Sequence, residues 1–357
     1  MVKAIPFAAT DIAFRLLAWY REQGRTLPWR ETRDPYRIWL SEIMLQQTTV
    51  AAVIPYYERF LQRLPTIESL ASAKLDDVIG LWAGLGYYSR ARNLHRAAQL
   101  IVAEQGVFPE SLEGLMALPG VGRSTAGAIL SIAFDKPAPI LDGNVRRVLV
   151  RLFAWREDPR SSRAEKQLWH WAELLTPAKH SHDYAQAIMD LGATICLPRA
   201  PRCESCPLRE LCQALKQGCA ASLPASRKQK KIPVRHQVVL LVKRFEALLL
   251  RQRPAEGFLG GLWEFPTVDL SDQQPPCQAA ERLLSDLGLS GRLQKRRPVR
   301  HAYSHFKLEL VIFIVNLDPA QTVAEDCLYG WHSREEVISL PLHGAHCKVR
   351  DLLENSR

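Results

Sequence analysis

At 357 residues the chain is longer than one average domain and shorter than three, and 47% hydrophobic with 24% charged residues excludes collagen-like, low-complexity and wholly disordered chains. Lys and Arg total 47 against 37 Asp and Glu, a net +10 with a pI near 9.3, which favours an anionic partner such as nucleic acid over an acidic metabolite. No apolar run reaches the length of about eighteen residues that a membrane span needs, and Asp11 and Arg15 interrupt the stretch where a signal peptide stays apolar. The expectation is a cytoplasmic protein with no membrane partner.

In chain order, apolar positions recur every three or four residues over 12–19, 38–44, 91–102, 124–133, 145–153 and 184–195, so an all-α domain is predicted over 1–220. Pro and Gly punctuate it at Leu27-Pro28, Leu64-Pro65, 84–86, 119–122 and 137–143, which makes the helices short. Residues 221–236 read as a basic linker carrying Arg227, Lys228, Lys230, Lys231 and Arg235. From 237 to 357 apolar runs of strand length at 238–242, 247–250 and 308–315, with a helical stretch at 278–287 between them, predict an α+β domain.

Four patterns carry chemistry. Cys196, Cys203, Cys206 and Cys212 crowd into seventeen residues with C-x6-C-x2-C-x5-C spacing, a set that encloses either tetrahedral zinc or an iron–sulfur cluster. Arg199, Arg202 and Arg209 lie between them and offer cations to a phosphate backbone. Leu118-Pro-Gly-Val-Gly122 precedes an apolar helix; Gly120 and Gly122 permit a tight turn whose outward N–H groups suit an anion, although such a turn also simply joins two helices. Asp142 in ILDGNV is read either as an N-cap or as an ionised carboxylate beside a reacting sugar. Glu42, in the apolar frame WLSEIMLQQT, is paired, at a solvent edge, or a desolvated acid with a raised pKa.

Taken together, WLSEIMLQQT, GLWAGLGYYSRARNLH, LPGVGRSTAGAIL, ILDGNVRRV and the four-cysteine loop occur in one order that closely resembles the MutY-type adenine DNA glycosylases of the helix-hairpin-helix superfamily, from about residue 10 to 220. That family's Nudix-like lesion-recognition domain is resembled from about 237 onward. The resemblance implies base-excision repair: removal of adenine mispaired with 8-oxoguanine or guanine in double-stranded DNA, by a monomer carrying a 4Fe–4S cluster on the four cysteines. By motif position it makes Glu42 the acid that protonates adenine N7 and Asp142 the carboxylate that stabilises an oxocarbenium ion. A raised pKa suits the first role, and a helix N-terminus would keep Asp142 charged for the second. Arg25, Arg30 and Gln186 match positions lining the adenine pocket, and Gln47 and Tyr87 match residues that wedge into the duplex, whereas Tyr88 reads as core packing. Tyr303-Ser304-His305 corresponds to the family's Phe-Ser-His loop against 8-oxoguanine; the tyrosine departs from the pattern but keeps an aromatic face.

Three rival functions fit the sequence less well. An endonuclease III-like bifunctional lyase attacks C1′ with a lysine, but its equivalent here is Ser124, and no lysine lies between Lys74 and Lys136. A Nudix hydrolase needs a glutamate-rich helix to hold divalent metal, where this chain offers Glu281 and Asp286 with most of the carboxylates missing. A DNA-binding protein without catalysis leaves the frames around Glu42 and Asp142 unexplained.

Overall fold

The computed structural model describes residues 7–225, 232–254, 257–271, 273–303, 305–321 and 328–354. Ser304 and the linker cations at 227, 228, 230 and 231 lie outside the described residues. The chain divides into two compact units, 1–72 with 93–229 and 73–92 with 230–357. Among the described residues no helix is long and apolar enough to cross a membrane.

The first unit is helical: α1 Ala9–Gln23, α2 Pro35–Leu45, α3 Val50–Arg63, α4 Ile67–Ser72, then, beyond α5 (Leu75–Trp82) and the start of α6 (Ser89–Ala103), α7 Leu112–Met116, α8 Arg123–Phe134, α9 Gly143–Leu152, α10 Ser162–Leu175, α11 Ser181–Asp190 and α12 Gln213–Lys216. Several of the helices start where a side chain satisfies one of their first N–H groups. Asp34 accepts from Tyr36 N with Pro35 at the first turn, Ser161 accepts from Ala164 N, and Asp142 accepts from Val145 N. Their apolar stripes meet in one core that includes Ile12, Leu16, Leu149, Leu168, Trp171 and Ile188. The apolar period predicted through 184–195 breaks at Asp190, where α11 gives way to a π-helical turn over Leu191–Ile195. Such turns recur at functional sites. It is held close to α9: a side-chain Cβ at Gly192 would stand 2.7 Å from that of Asn144.

The second unit is built on a mixed sheet of β1 Val234–Arg244, β2 Ala247–Gln252, β3 Trp263–Glu264, β4 Thr267–Asp269, β5 Gln294–Lys295, β6 Val299–Ala302, β7 Lys307–Asn316 and β8 Tyr329–His332, with α13 Pro276–Asp286, α14 Arg334–Ser339 and α15 Gly344–Glu354. The central path runs β3-β2-β1-β7-β5, with β1 and β7 parallel and the other pairs antiparallel. Alternation along β1 sends Val238, Leu240 and Val242 toward α13, and Val239 and Leu241 toward α14 and α15, so both faces are covered. The strand starts at Val234, inside the basic segment read as linker, because 234–237 pair in parallel with 307–310 while their side chains stay exposed or partly so.

Residues 73–92 group with this unit although their sequence belongs to the helical half. Arg92 Nη1 donates to the Gly260 carbonyl at 2.6 Å, and Gln252 Nε2 donates to Asp76 Oδ1 at 3.4 Å. At the centre of the unit, buried Glu264 accepts from Arg251 and from Arg253 Nη1 (2.6 Å) and lies 3.4 Å from His343 Nε2.

Candidate active site

A cavity of about 590 Å³ opens in the helical unit between α2, α8, the N-terminus of α9 and α11, and its walls include Glu42, Asp142, Arg25, Arg30, Ser124 and Gln186. The sequence motifs at 25–30, 42, 124, 142 and 186 therefore converge on one site. Glu42 is half-buried on α2; burial foremost, then the charge of Asp142, raises its carboxyl to about 7 against the opposing pull of Arg30. Asp142 is the N-cap that one of its two readings expected, and it also lines the cavity. It caps α9 through Val145 N at 2.7 Å, accepts Asn144 Nδ2 at 3.3 Å, and faces the same cavity. The helix N-terminus does not dominate its titration as the sequence suggested: burial raises the carboxyl from its ordinary value, with the Val145 and Asn144 amides and the Arg147 cation pulling the other way.

Arg25 precedes and Arg30 ends a single 3-10 turn, Pro28–Arg30, and buried Asp190 holds both. Arg25 Nε and Nη2 donate to Oδ1 at 2.8 and 2.6 Å, and Arg30 Nη1 and Nη2 donate to Oδ2 and Oδ1 at 2.6 Å each. These hydrogen bonds keep Asp190 below the usual carboxylate range even though burial opposes them. Ser124 Oγ accepts from Leu141 N at 3.1 Å, tying α8 to the loop that leads to Asp142.

The LPGVG turn joins α7 to α8. Gly120 has φ of 79°, and a Cβ there would press Asn93, so glycine is required. Gly122 is different from the expectation: its φ of −86° suits any residue and open space surrounds it, so its contribution is an N-terminus of α8 without a side-chain cap. Gln46 Nε2 bridges this turn to α2 through Gly120 O and Thr125 Oγ1 at 3.4 and 3.3 Å. Gln47 and Tyr87, assigned to duplex wedging by resemblance, are both non-glycine residues with positive φ, 58° and 51°. Backbone of that kind is strained and concentrates at functional positions. Tyr88 is buried, its hydroxyl accepting from Gly84 N.

The four cysteines surround one small cavity with Val148, Leu152, Leu191, Ile195, Leu208 and Leu215. Arg151 Nη1 donates to Cys196 Sγ at 3.3 Å, the Leu208 amide to Cys206, and the Ala214 and Leu215 amides to Cys212. Burial pushes the Cys206 thiol up to about 12, so thiolates here need a metal to be stable. Thiols alone, enclosed by apolar side chains and facing N–H donors, fit an iron–sulfur cluster. Arg199, Arg202 and Arg209 lie exposed around this loop.

In the sheet unit Tyr303 closes the β6–β7 hairpin through its amide to Phe306 O at 2.9 Å, and His305 is exposed at the tip. Tyr303 is partly exposed and keeps its aromatic ring at the hairpin. Its ring packs against Phe258, Phe306 and His301, and its hydroxyl sits 2.8 Å from His343 Nδ1.

Residues 40–174 match the model of the HhH-GPD superfamily of base excision DNA repair proteins, and residues 237–352 match the NUDIX domain. The adenine DNA glycosylase of Buchnera aphidicola subsp. Schizaphis graminum is 38% identical over 305 residues, covering 85% of this chain and 86% of that one. Those of Rattus norvegicus and Homo sapiens are 39% and 38% identical, covering 97% and 94% of this chain and 78% and 73% of theirs. The chain belongs to the adenine DNA glycosylase family. Among solved structures, a thermostable thymine-DNA glycosylase superposes with a TM-score of 0.54 at 30% identity, covering 58% of this chain and 97% of that one. A trapped endonuclease III–DNA covalent intermediate gives 0.51 at 24% identity, covering 59% and 99%, a likeness of fold.

For this glycosylase the structure adds site residues that sequence reasoning missed. Asp190, Asn144, His182 and Gln46 each hold a cavity residue or the hairpin in place. Asp190 ends the stretch YAQAIMD within the helical run predicted over 184–195, and a carboxylate closing an apolar helical run was the available signal.

Proposed function

We propose that this glycosylase hydrolyses the N-glycosidic bond of adenine opposite 8-oxoguanine, and opposite guanine, in duplex DNA, and that it cleaves no strand. The observation that carries the reading is a carboxyl raised to about 7, Glu42, sharing one cavity with Asp142. A base in duplex DNA is reached only by extrusion from the stack. Glu42, protonated near neutral pH, gives its proton to adenine N7, so the C1′–N9 electron pair leaves on a neutral base. Positive charge then develops at C1′ and is met by ionised Asp142, after which water adds at C1′. Ser124 has no amine to form a Schiff base, so no lyase step follows.

Arg25, Arg30 and Gln186 line the space for the base, and the strained Gln47 and Tyr87 would enter the duplex. Tyr303, Ser304 and His305 are assigned to the opposing 8-oxoguanine, with Tyr303 setting the hairpin and His305 at its surface. Cys196, Cys203, Cys206 and Cys212 would hold the 4Fe–4S cluster, whose iron–thiolate bonds would cross-link their loop.

The test incubates excess protein with labelled duplexes carrying adenine opposite 8-oxoguanine, guanine or thymine, or carrying thymine glycol, with and without alkali. Breaks only after alkali, fastest for adenine opposite 8-oxoguanine, are expected. Cleavage at thymine glycol without alkali would replace the reading with a bifunctional lyase.

A further inference from the structure

Gln186 is 2% exposed, lines the cavity, and turns its amide nitrogen fully toward His182. Nε2 lies 2.7 Å from His182 Nε2 and 3.4 Å from the His182 carbonyl. The other imidazole nitrogen, Nδ1, lies 2.7 Å from the Ile132 carbonyl, which only accepts, so Nδ1 carries the ring proton and Nε2 is the acceptor. A donor must then face Nε2, and the amide NH₂ is that donor. Its oxygen, Oε1, is buried and has no hydrogen-bond partner among the described residues. His182 is anchored by its backbone as well, the amide donating to Asp135 Oδ1 at 2.8 Å. Burial also lowers its pKa, which keeps the acceptor nitrogen unprotonated.

We infer that His182 is a specificity-determining positioning residue: by engaging both amide hydrogens of Gln186 it leaves only an acceptor for the base, and so selects a purine with an amino group at C6 over one with a carbonyl there. The inference rests on the reading of the cavity as the adenine pocket. An amine at C6 donates to Oε1 and supplies the bond that it lacks. A C6 carbonyl sets two acceptors face to face, the mismatch that rejects substrates most strongly in a desolvated site.

The test measures single-turnover release of adenine, hypoxanthine and unsubstituted purine from the same duplex position, each rate divided by that base's acid-catalysed release. Wild type should release hypoxanthine more slowly than purine, and adenine faster. In His182→Phe, which keeps a ring and loses the acceptor, the amide can turn over, and the adenine-to-hypoxanthine ratio should fall roughly tenfold. Gln186→Glu in that background should restore the ratio, since a carboxylate has no hydrogen to present. An unmoved ratio in folded His182→Phe, a loss that Gln186→Glu does not restore, or wild-type hypoxanthine release matching purine overturns the inference. The wild-type comparison stands if the variant does not fold. Absence of adenine release by wild type from every duplex would instead overturn the functional reading and this inference with it.

Discussion

Arg147 Nε donates to the backbone carbonyl of Cys196 at 2.7 Å, while Nη2 of the same guanidinium donates to Asn144 Oδ1 at 2.8 Å. Asn144 in turn donates to Asp142, so the cysteine loop and a cavity carboxylate share two intermediaries. Replacing Arg147 with Met removes a cation that favours ionised Asp142 and leaves Asn144 untethered. Base release should slow roughly tenfold or more, with duplex affinity within a few-fold of wild type. Single-turnover kinetics beside a binding titration decide the point; a rate equal to wild type would remove Arg147 from the support of Asp142.

Removing the Glu42 carboxyl should move activity and stability in opposite directions. Its proton is needed for base release, so the rate should decline as pH rises through about 7. The folded pKa lies above the ordinary 4.5, so ionisation weighs on the folded state, and stability declines over the same rise from 4.5 through 7. Glu42→Gln should therefore abolish base release yet stabilise the protein at pH 8 by up to about 3 kcal/mol, with the gain vanishing below pH 4.5. Denaturant titrations of both proteins at pH 8 and pH 4.5 test this, and equal stabilities at pH 8 would contradict it.

Asp190 is 1% exposed and faces two guanidiniums, so its loss strands buried cations. Asp190→Asn should cost about 3 kcal/mol and slow adenine release through displaced Arg25 and Arg30. Because its pKa is depressed, the carboxylate's contribution is present above 3.8 and fades as pH falls through the folded value. Urea unfolding of the variant at neutral pH measures the first effect; a cost under 1 kcal/mol would mean that Asn satisfies both arginines.

Acid should loosen the sheet unit earlier than the helical one. His343 and His346 are buried and held below 6.5, so the unfolded chain takes up protons first and stability falls as pH drops from 6.5 toward their folded values. Glu264, held well below the usual range, adds to the loss below 4.5. Intrinsic fluorescence and hydrogen exchange followed from pH 7 to 4 should show opening at β3 and α15 first. Protection in those elements that stays constant to pH 4 would argue against it.

Much of the helical unit was legible because an apolar residue every third or fourth position specifies a buried stripe directly, as in 145–153. The carboxylates Glu42 and Asp142 were legible because each sits in a motif of its own. Asp190 was not, since its partners lie 165 and 160 residues away and ion pairs leave no local pattern. The His182–Gln186 pair has the i, i+4 spacing of one helix face, but its meaning depends on the Ile132 carbonyl fifty residues earlier. Likewise the grouping of 73–92 with the sheet unit turns on Arg92 meeting Gly260, a contact that periodicity cannot report.

Gly192 lets the π-helical turn rest directly on Asn144, and its carbonyl accepts Arg147 Nη2 at 2.6 Å. Main chain thus sets that separation, with no rotamer in between to yield. A methyl group at 192 would act as a shim, lifting the start of α9 and Asp142 away from the cavity while leaving the hydrophobic core intact. Loss of turnover from such a change would come without any loss of melting temperature in proportion, a form of damage that stability screens pass over.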